Sequence, residues 1–468
     1  MTMDRDELIR KLNLMRGSDL PVPPPRAPEN TEETPPPAGG TLAEESRRRL
    51  QERLGLMQGA EWAARREEEA RHAAVGGYEV ERVLGGEVVG DDASAFFLLR
   101  REYPLEHFHG AFSLGAGLES RGAHLALAAC DESLAGADPR EAVFMDTETT
   151  GLAGGAGTVA FLVGMGYHAD GMFRVDQCFL RDYDDEPAML AWIAGLLSRF
   201  KTVVSFNGKS FDLPLLRTRF VQHRMPCRFD ALAHLDLVHA ARRFWKRRLS
   251  DCSLGNLERE VLGVRRHGDV PSHLIPERWL EYLHTRDARP LEGVFYHHRV
   301  DILSMVTLLG ALSSRLDRPE GSEFDHDEDQ LSLIRLHFRE KRYDQVLAAG
   351  AEWLRRDAPQ PLRRECLEML SLAGKRRGRW EETEAFLDQW HAEFPADAAG
   401  ASELAKHLEH RARNLARAER VCRETLALLD ASPSGECAGA GELRGRLARI
   451  RRKLGGLWGG ADADAGGD

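Results

Sequence analysis

Cysteine is scarce and scattered in this sequence. The seven residues, Cys130, Cys178, Cys227, Cys252, Cys366, Cys422 and Cys437, stand singly with no C-x-x-C pair. That removes the usual zinc-site spacing and any disulfide framework of secreted type, and leaves reduced, mostly buried thiols as the expectation. Long apolar runs are missing as well: stretches such as Thr158 to Gly166 fall short of the ~20 residues a membrane helix needs. The first residues lack the basic start and apolar core of a secretory signal. Together these absences predict a cytoplasmic protein with no membrane contact. No G-x-x-x-x-G-K-[ST] loop occurs, because the glycine-rich run from Gly151 to Gly157 has no lysine after it, which disfavours a nucleotide-triphosphate motor. Surplus positive charge is lacking too. The 64 Lys and Arg against 75 Asp and Glu give a net charge of -11, the wrong sign for a protein that coats nucleic acid over a broad surface.

What is present is ample apolar material. At ~150 residues per domain, the 468 residues make about three domains' worth of chain. With 42 % hydrophobic and 30 % charged residues the chain is too apolar to be wholly disordered. Charge is also uneven along it. Between Lys201 and Val300 there are 18 Lys and Arg against 11 Asp and Glu, and five of the cations fall in Arg242-Arg243-Phe244-Trp245-Lys246-Arg247-Arg248.

The pattern divides the chain into segments. Residues 1–75 read as a disordered arm: Pro21 to Pro37 carries eight prolines in seventeen residues, which no helix or central strand tolerates, and a Glu/Arg-rich stretch follows. Residues 76–135 alternate in the manner of strands at Tyr78–Val83, Ala95–Leu99 and His124–Leu127, and predict a small β-rich extension. Residues 136–318 switch between short β-branched runs and helical spacing, the signature of an α/β layered domain. Its strands are predicted at Ala142–Asp146, Thr158–His168, Met172–Leu180 and Thr202–Phe206. Residues 325–455 are helical with a loose repeat, whose anchors Tyr343, Trp380 and Leu415 lie 37 and 35 residues apart, close to the 34-residue period of tetratricopeptide helix pairs. Such a tail would offer a surface to a protein partner. Residues 456–468 are rich in Gly, Ala and Asp and predict a disordered tail.

Within the α/β segment the acids carry the chemistry. Asp146 and Glu148 close an apolar strand, Ala142 to Met145; residues two apart in a strand face the same side, so both carboxylates point together. Adjacent like charges are costly unless a cation lies between them, and hard oxygen ligands suit Mg²⁺ or Mn²⁺. A second apolar strand, Val203 to Phe206, leads through a polar loop to Asp212 at the start of a helix. Asp301 sits on a helix of 3.6 period with His297 one turn before it, on the same face. These four acids form a coherent unit for two-metal phosphodiester hydrolysis, one ion activating water and the other stabilising the leaving oxygen, ~4 Å apart. His297 is the candidate base that takes the proton from the water.

The strings Asp146-Thr147-Glu148-Thr149-Thr150-Gly151-Leu152 and Asn207-Gly208-Lys209-Ser210-Phe211-Asp212-Leu213, with the spacing of His297 and Asp301, resemble the three motifs of the DEDD 3'-5' exonucleases, which have the ribonuclease H-like fold. A closer resemblance is to the YprB-type ribonuclease H-like family. It rests on Phe144 to Gly166 with its glycine-rich loop, Cys252 to Glu258 with Leu262-Gly263, Asp269-Val270-Pro271, Ile275-Pro276 and Asp301 to Ser304. Arg101 to Glu106 and His109-Gly110 also belong to it, so that it covers roughly residues 78 to 315. The resemblance implies a mixed sheet flanked by helices, with a β-rich N-terminal extension and an all-α C-terminal repeat domain. It also implies Asp146, Glu148, Asp212 and Asp301 as ligands of two Mg²⁺ or Mn²⁺ ions. One common subtype places histidine five before the last aspartate and the other places tyrosine four before it; here Tyr296 stands at five and His297 at four. Helix geometry favours His297, with Tyr296 and His298 as alternatives. Asp236 is either a further acid near the metals or a strand-end residue that serves the fold.

Substrate contacts are expected from Thr149, Thr150 and Gly151, whose loop lets backbone approach a nucleotide. Asn207 and Lys209 would reach sugar or phosphate. Phe244, Trp245 and Lys246 would form a groove of cations and stacking rings for unpaired bases, or else an exposed helix face whose rings belong to the core. The expected activity is 3'-5' exonuclease action on single-stranded DNA or RNA. The alternative is a non-catalytic scaffold that binds nucleic acid and recruits a protein through the helical tail.

Overall fold

A computed structural model of the chain describes residues 78–91, 94–151, 157–317, 326–431 and 439–458. Of the two units into which the chain divides, Met1–Trp62 lies wholly outside these residues, and everything below belongs to Ala63–Asp468. The expected N-terminal arm, most of the glycine-rich loop after Gly151 and most of the expected C-terminal tail fall outside the described residues.

The centre of the fold is β5 (Ala142–Thr149), and its sequence explains its place. Ala142, Val143, Phe144 and Met145 are all buried, as a strand covered on both faces requires. It pairs antiparallel with β6 (Ala160–Ala169) and parallel with β8 (Thr202–Ser205). With β1 (Glu87–Asp91), β2 (Ser94–Pro104), β7 (Met172–Phe179) and β9 (Ala233–Asp236), the sheet has the order β1-β2-β7-β6-β5-β8-β9. Alternate residues of β5 serve different layers. Val143 and Met145 pack with α3 (Glu186–Leu197), α4 (Asp212–Gln222) and α7 (Ile275–Thr285). Ala142 and Phe144 pack with α2 (Gly122–Ala129), α5 (Leu237–Trp245) and α8 (Leu291–Asp317). The side-chain period of two carries Asp146 and Glu148 onto the α8 face and Thr147 onto the α4 face.

Two glycines let α8 lie close on the sheet. A Cβ on Gly164 of β6 would stand 2.3 Å from Ile302 Cδ1 and 2.5 Å from His298 Cε1, and one on Gly166 would stand 2.4 Å from Ile302 Cγ2. Gly164 is the β6 partner of Asp146. Helix α8 is thereby seated directly over the acidic end of β5.

The strands around the centre lie where the pattern places them, with one useful extension: β5 runs on to Thr149, so Asp146 and Glu148 lie within the strand, before a bulge between Glu148 and Thr149. The expected N-terminal strands need correction. Residues 78–83 begin the short helix α1 (Val80–Leu84), and residues 124–127 lie in α2, where Leu125 to Ala128 are all buried. A fully buried helix and a buried strand leave the same short apolar run in a sequence. The remaining strands, β1 and β2, join the main sheet: β2 pairs with β7 from Phe97 to Pro104. A hairpin of β3 (Phe108–His109) and β4 (Phe112–Ser113) follows.

The C-terminal region is all helical. The helices α9 (Asp327–Arg339), α10 (Tyr343–Trp353), α11 (Gln360–Arg377), α12 (Trp380–Glu393), α13 (Ala398–His410), α14 (Leu415–Asp430) and α15 (Ala440–Trp458) each pack against the next. The three anchors, Tyr343, Trp380 and Leu415, are the first residues of α10, α12 and α14. Trp353 and Trp390 fill the shared core. Helix α9 also packs on α5, and Arg248 clamps the buried Asp329 at 3.0 Å. The described cysteines are free thiols, with Cys178, Cys252, Cys366 and Cys422 buried. Among the described residues no helix is long and apolar enough to cross a membrane.

Candidate active site

At the end of β5 the two helical layers meet. From the α4 side, Asp212 is the first residue of its helix, where the helix dipole favours a carboxylate. Its Oδ1 accepts a hydrogen bond from Thr147 Oγ1 at 2.5 Å, which ties α4 to β5. The loop that delivers it is tightly specified. Asn207 has a left-handed φ of 67°, and a Cβ on Gly208 would stand 2.5 Å from Ser205 Oγ and 3.2 Å from Asp212 Oδ2. Asp236 holds this loop: its carboxylate accepts from the backbone N–H of Asn207 at 2.7 Å, Lys209 at 3.1 Å and Val238 at 3.1 Å. Buried and fully engaged, Asp236 serves the fold and caps α5.

From the opposite layer α8 brings Asp301 and His297. Ligating atoms of Glu148, His297 and Asp301 all lie within 4.8 Å of one another. His297 Nε2 is 3.4 Å from Asp301 Oδ2, and its Nδ1 is 2.9 Å from Asp269 Oδ1. The three candidate bases are separated by their surroundings. His298 is fully buried, with Nδ1 3.1 Å from Gln177 Nε2 and Nε2 3.2 Å from the Asp146 carbonyl oxygen. Burial pushes it down to about 3, so it is neutral and structural. Tyr296 turns away: its hydroxyl accepts from the His267 N–H at 3.4 Å and its ring lies under Arg299. His297 faces Glu148 and Asp301, while the buried His298 has its Nε2 3.7 Å from Asp146 Oδ2.

The four acids share one electrostatic field. Burial, then Asp301, Asp212 and Glu148, hold the Asp146 carboxyl well above the usual carboxylate range. Burial with Asp301 and Asp212 pushes Glu148 up to about 8. Asp212 and Asp301 are raised as well, each chiefly by burial. Crowded hard oxygens that resist ionisation are the donor set a divalent cation relieves. Together with His297, the residues present fit Mg²⁺ or Mn²⁺.

Three partners have no role in the sequence reading. Arg266 donates Nε to Glu258 Oε2 at 2.7 Å and Nη2 to Glu258 Oε1 at 2.5 Å, and its guanidinium also pairs with Asp301 and with Asp269 at 3.2 Å. Glu258 is 2 % exposed and lies on a π-helical turn, residues 258–262, that continues α6 (Leu254–Leu257). It also accepts from Ser304 Oγ at 2.6 Å, and Ser304 Oγ is 2.8 Å from His109 Nε2. The β3–β4 hairpin is thus wired to the site. Glu258 and Asp269 both stand in segments that carry the family resemblance, and that was the available signal. An open cleft of about 970 Å³ lies here, walled by His297, Asp301, Glu258, Asp269 and the cations Arg259, Arg265 and Arg266.

The expected substrate contacts divide. Thr149 Oγ1 donates to the Gly151 carbonyl at 3.1 Å and Thr150 Oγ1 accepts from Val159 N–H at 3.1 Å, so both pin the base of the loop that leaves β5. Lys209 is exposed on the loop that leads to Asp212, with its charge toward Asp131 and His234. Phe244 and Trp245 require correction. They are 1 % and 0 % exposed, packed in the core beneath α5, and cannot stack on bases. Lys246 is exposed at the end of α5, with its ammonium on the Ser250 carbonyl.

Comparison with known proteins covers this same region. The profile of a family described as the RNase_H superfamily matches residues 143–313, a span that contains all four acids. A protein of Bacillus subtilis (strain 168), named "Uncharacterized protein YprB", is 30 % identical over 359 residues, which is 75 % of this chain and 84 % of that protein.

Proposed function

The chain belongs to the family of the Bacillus subtilis YprB protein and carries an RNase H superfamily domain, and from that premise we propose that it is a metal-dependent nuclease that removes nucleotides from the 3' end of single-stranded DNA or RNA. The observation that carries the reading is the meeting of Asp146, Glu148, Asp212 and Asp301 in one field of mutually raised carboxyls beside His297. Those four acids would hold two Mg²⁺ or Mn²⁺ ions, which supply an acidified water and charge stabilisation for the leaving oxygen.

The protein's own part follows from the geometry. His297 Nδ1 lies 2.9 Å from Asp269 Oδ1 and 3.2 Å from Arg266 Nη1; in the tautomer whose Nδ1–H donates to Asp269, Nε2 would face the acids and accept the proton of the attacking water. Asp269 would fix the ring in that tautomer. Thr147 and Asp236 hold Asp212 and its loop in place, and the Gly164–His298 contact sets the height of α8 over β5. Arg259 and Arg265 line the approach for phosphate oxygens, and Lys209, exposed on the loop before Asp212, would reach sugar or phosphate. The helical tail, with its anchors at alternate helix starts, resembles tetratricopeptide stacking and would recruit a protein partner.

The test is degradation of end-labelled single-stranded DNA and RNA with Mg²⁺ or Mn²⁺, beside Asp146→Ala. Stepwise loss from the 3' end, abolished by chelator and by the substitution, supports the reading. Binding of both strands with no cleavage under either metal would leave a nucleic-acid-binding scaffold.

A further inference from the structure

A second basic concavity lies away from the acids. It is a cleft of about 660 Å³ between the end of α5 and the tail helices α9 and α11. Arg242, Arg243, Lys246 and Arg247 line one wall, and Arg335 and Arg339 of α9 line the other. The sequence run of cations is therefore one half of a site whose other half comes from ninety residues further on.

The charges in this cleft are poorly compensated. Its carboxylates are Glu365 and Glu368. Glu365 is shared by Arg247 and by Arg335 at 3.1 Å, and Glu368 pairs with Arg364 at 3.4 Å. Arg243 donates to the Ala128 carbonyl at 2.8 Å and Lys246 to the Ser250 carbonyl, and neither makes an ion pair among the described residues, although the Asp251 carboxyl, held down by Ser253, is also lowered by the nearby Lys246. The Arg242 side chain is exposed and has no hydrogen-bond or ion-pair partner among the described residues, and Arg339, 63 % exposed, has only the loose pair with its neighbour Glu340 at 3.8 Å among them. Joining the two regions does not need these cations, because Arg248 and the buried Asp329 already do so. Clustered like charge destabilises a fold unless an anion meets it. In a chain of net charge -11 the concentration is local.

The anion implied is extended. Cations on two facing helices suit a row of phosphates better than a single ion, and apolar surface runs beside them at Phe338, Met369 and Leu372, the last 37 % exposed. That mixture of cations and apolar surface is what sequence-tolerant binding of unpaired strands uses. The cleft is also aligned with the acids. Helix α5 starts at Asp236, which holds the loop next to Asp212, and its nine residues at ~1.5 Å each end at the cleft ~13 Å further on.

We propose that this interdomain cleft binds the phosphate backbone of a single-stranded nucleic acid a few nucleotides to the 5' side of the end held at the acids. The proposal rests on the nuclease reading for its polarity, but not for its charge argument. Its consequence is length dependence: short strands reach only the acids, and longer ones gain the cleft.

The test uses the full chain and the double variant Arg242→Glu/Arg339→Glu, which alters two exposed side chains, with Arg242→Lys/Arg339→Lys as control and thermal unfolding to check the fold. Binding of fluorescein-labelled strands of ~4 and ~16 nucleotides is measured by anisotropy in chelator, and their cleavage is measured with Mn²⁺. The expected result is a tenfold or greater loss of affinity for the long strand only, restored in the Lys control. The slope of log affinity against log salt should fall by about 1.4, at ~0.7 for each of two lost contacts. Cleavage of the short strand should be unchanged, with KM raised for the long one. If both strands are cut but the long one binds the Glu variant as tightly as the wild type, the cleft proposal is overturned and the nuclease reading stands. An acidic protein segment would then be the occupant to seek. If neither strand is cut and long-strand binding still falls in the Glu variant, the cleft stands and the nuclease reading fails.

Discussion

Arg266 Nη2 pairs with Asp301 at the mouth of the acid cluster, and the same Nε–Nη2 edge grips the buried Glu258. The guanidinium thus stands where a cation is needed, and Glu258 is what keeps it there. Removing it exposes two weaknesses at once: Asp301 loses its guanidinium neighbour, and Glu258, 2 % exposed, is left as a buried charge without that counterion. Breaking one side of a buried pair costs ~3–5 kcal/mol.

Arg266→Ala is therefore expected to destabilise the metal-free protein by about 3 kcal/mol. Adding Glu258→Gln should recover part of that loss. Urea unfolding of the two single variants and the double variant measures the coupling, and additive losses would show that the pair is not the source.

The adjacent histidines should separate cleanly. His297→Ala is expected to keep the unfolding midpoint and to lose ~10²–10⁴ in kcat, the scale of a proton acceptor. His298→Ala should instead unfold more easily, because Gln177 loses its buried partner and α8 loses its contact with the Asp146 carbonyl. Thermal unfolding beside single-turnover cleavage distinguishes the two, and equal losses of activity without a change in midpoint would contradict the assignment.

Four buried histidines should make the fold sensitive to acid. Burial holds His109, His234 and His337 down at about 4 and His298 at about 3. At these four rings the unfolded chain therefore binds more protons than the native one below ~6.5, so the stability they contribute is fully present above that pH and falls as pH drops toward 4. The raised acids shift stability the opposite way, so the histidine effect is read in Asp146→Asn/Glu148→Gln, whose unfolding midpoint in chelator should decline more steeply than that of the wild type from about pH 7.5 through 6 to 5; a flat profile in that variant would mean that these rings are not buried neutral.

Much of the site was legible because its signals are local. The period of two that sets Asp146 beside Glu148, and the one-turn spacing of His297 and Asp301, are properties of a strand and a helix whatever lies around them. Phe244 and Trp245 were also decidable: with Leu237, Val238, Ala240 and Ala241 they complete a helical apolar stripe, and that stripe outweighs the cations interleaved with it. Arg266 and Glu258 were not legible. Their pairing depends on a π-helical turn and on α8 meeting it from 35 residues away, and neither is written in local spacing. The strand expected at 124–127 failed for a simpler reason, since a short apolar run does not distinguish a buried helix from a buried strand, and at 78–83 the alternation proved too brief to outweigh a short helix that buries only Val80.

The central claim is that the four carboxylates form one divalent-metal site, and Mn²⁺ titration by calorimetry tests it most directly. Because Glu148 is pushed up to about 8, metal must displace protons at neutral pH, so affinity should rise from pH 7 to pH 9 and fall at least tenfold in Asp146→Asn and in Asp301→Asn. Equal Mn²⁺ binding by wild type and both variants, with no pH dependence, would contradict the account.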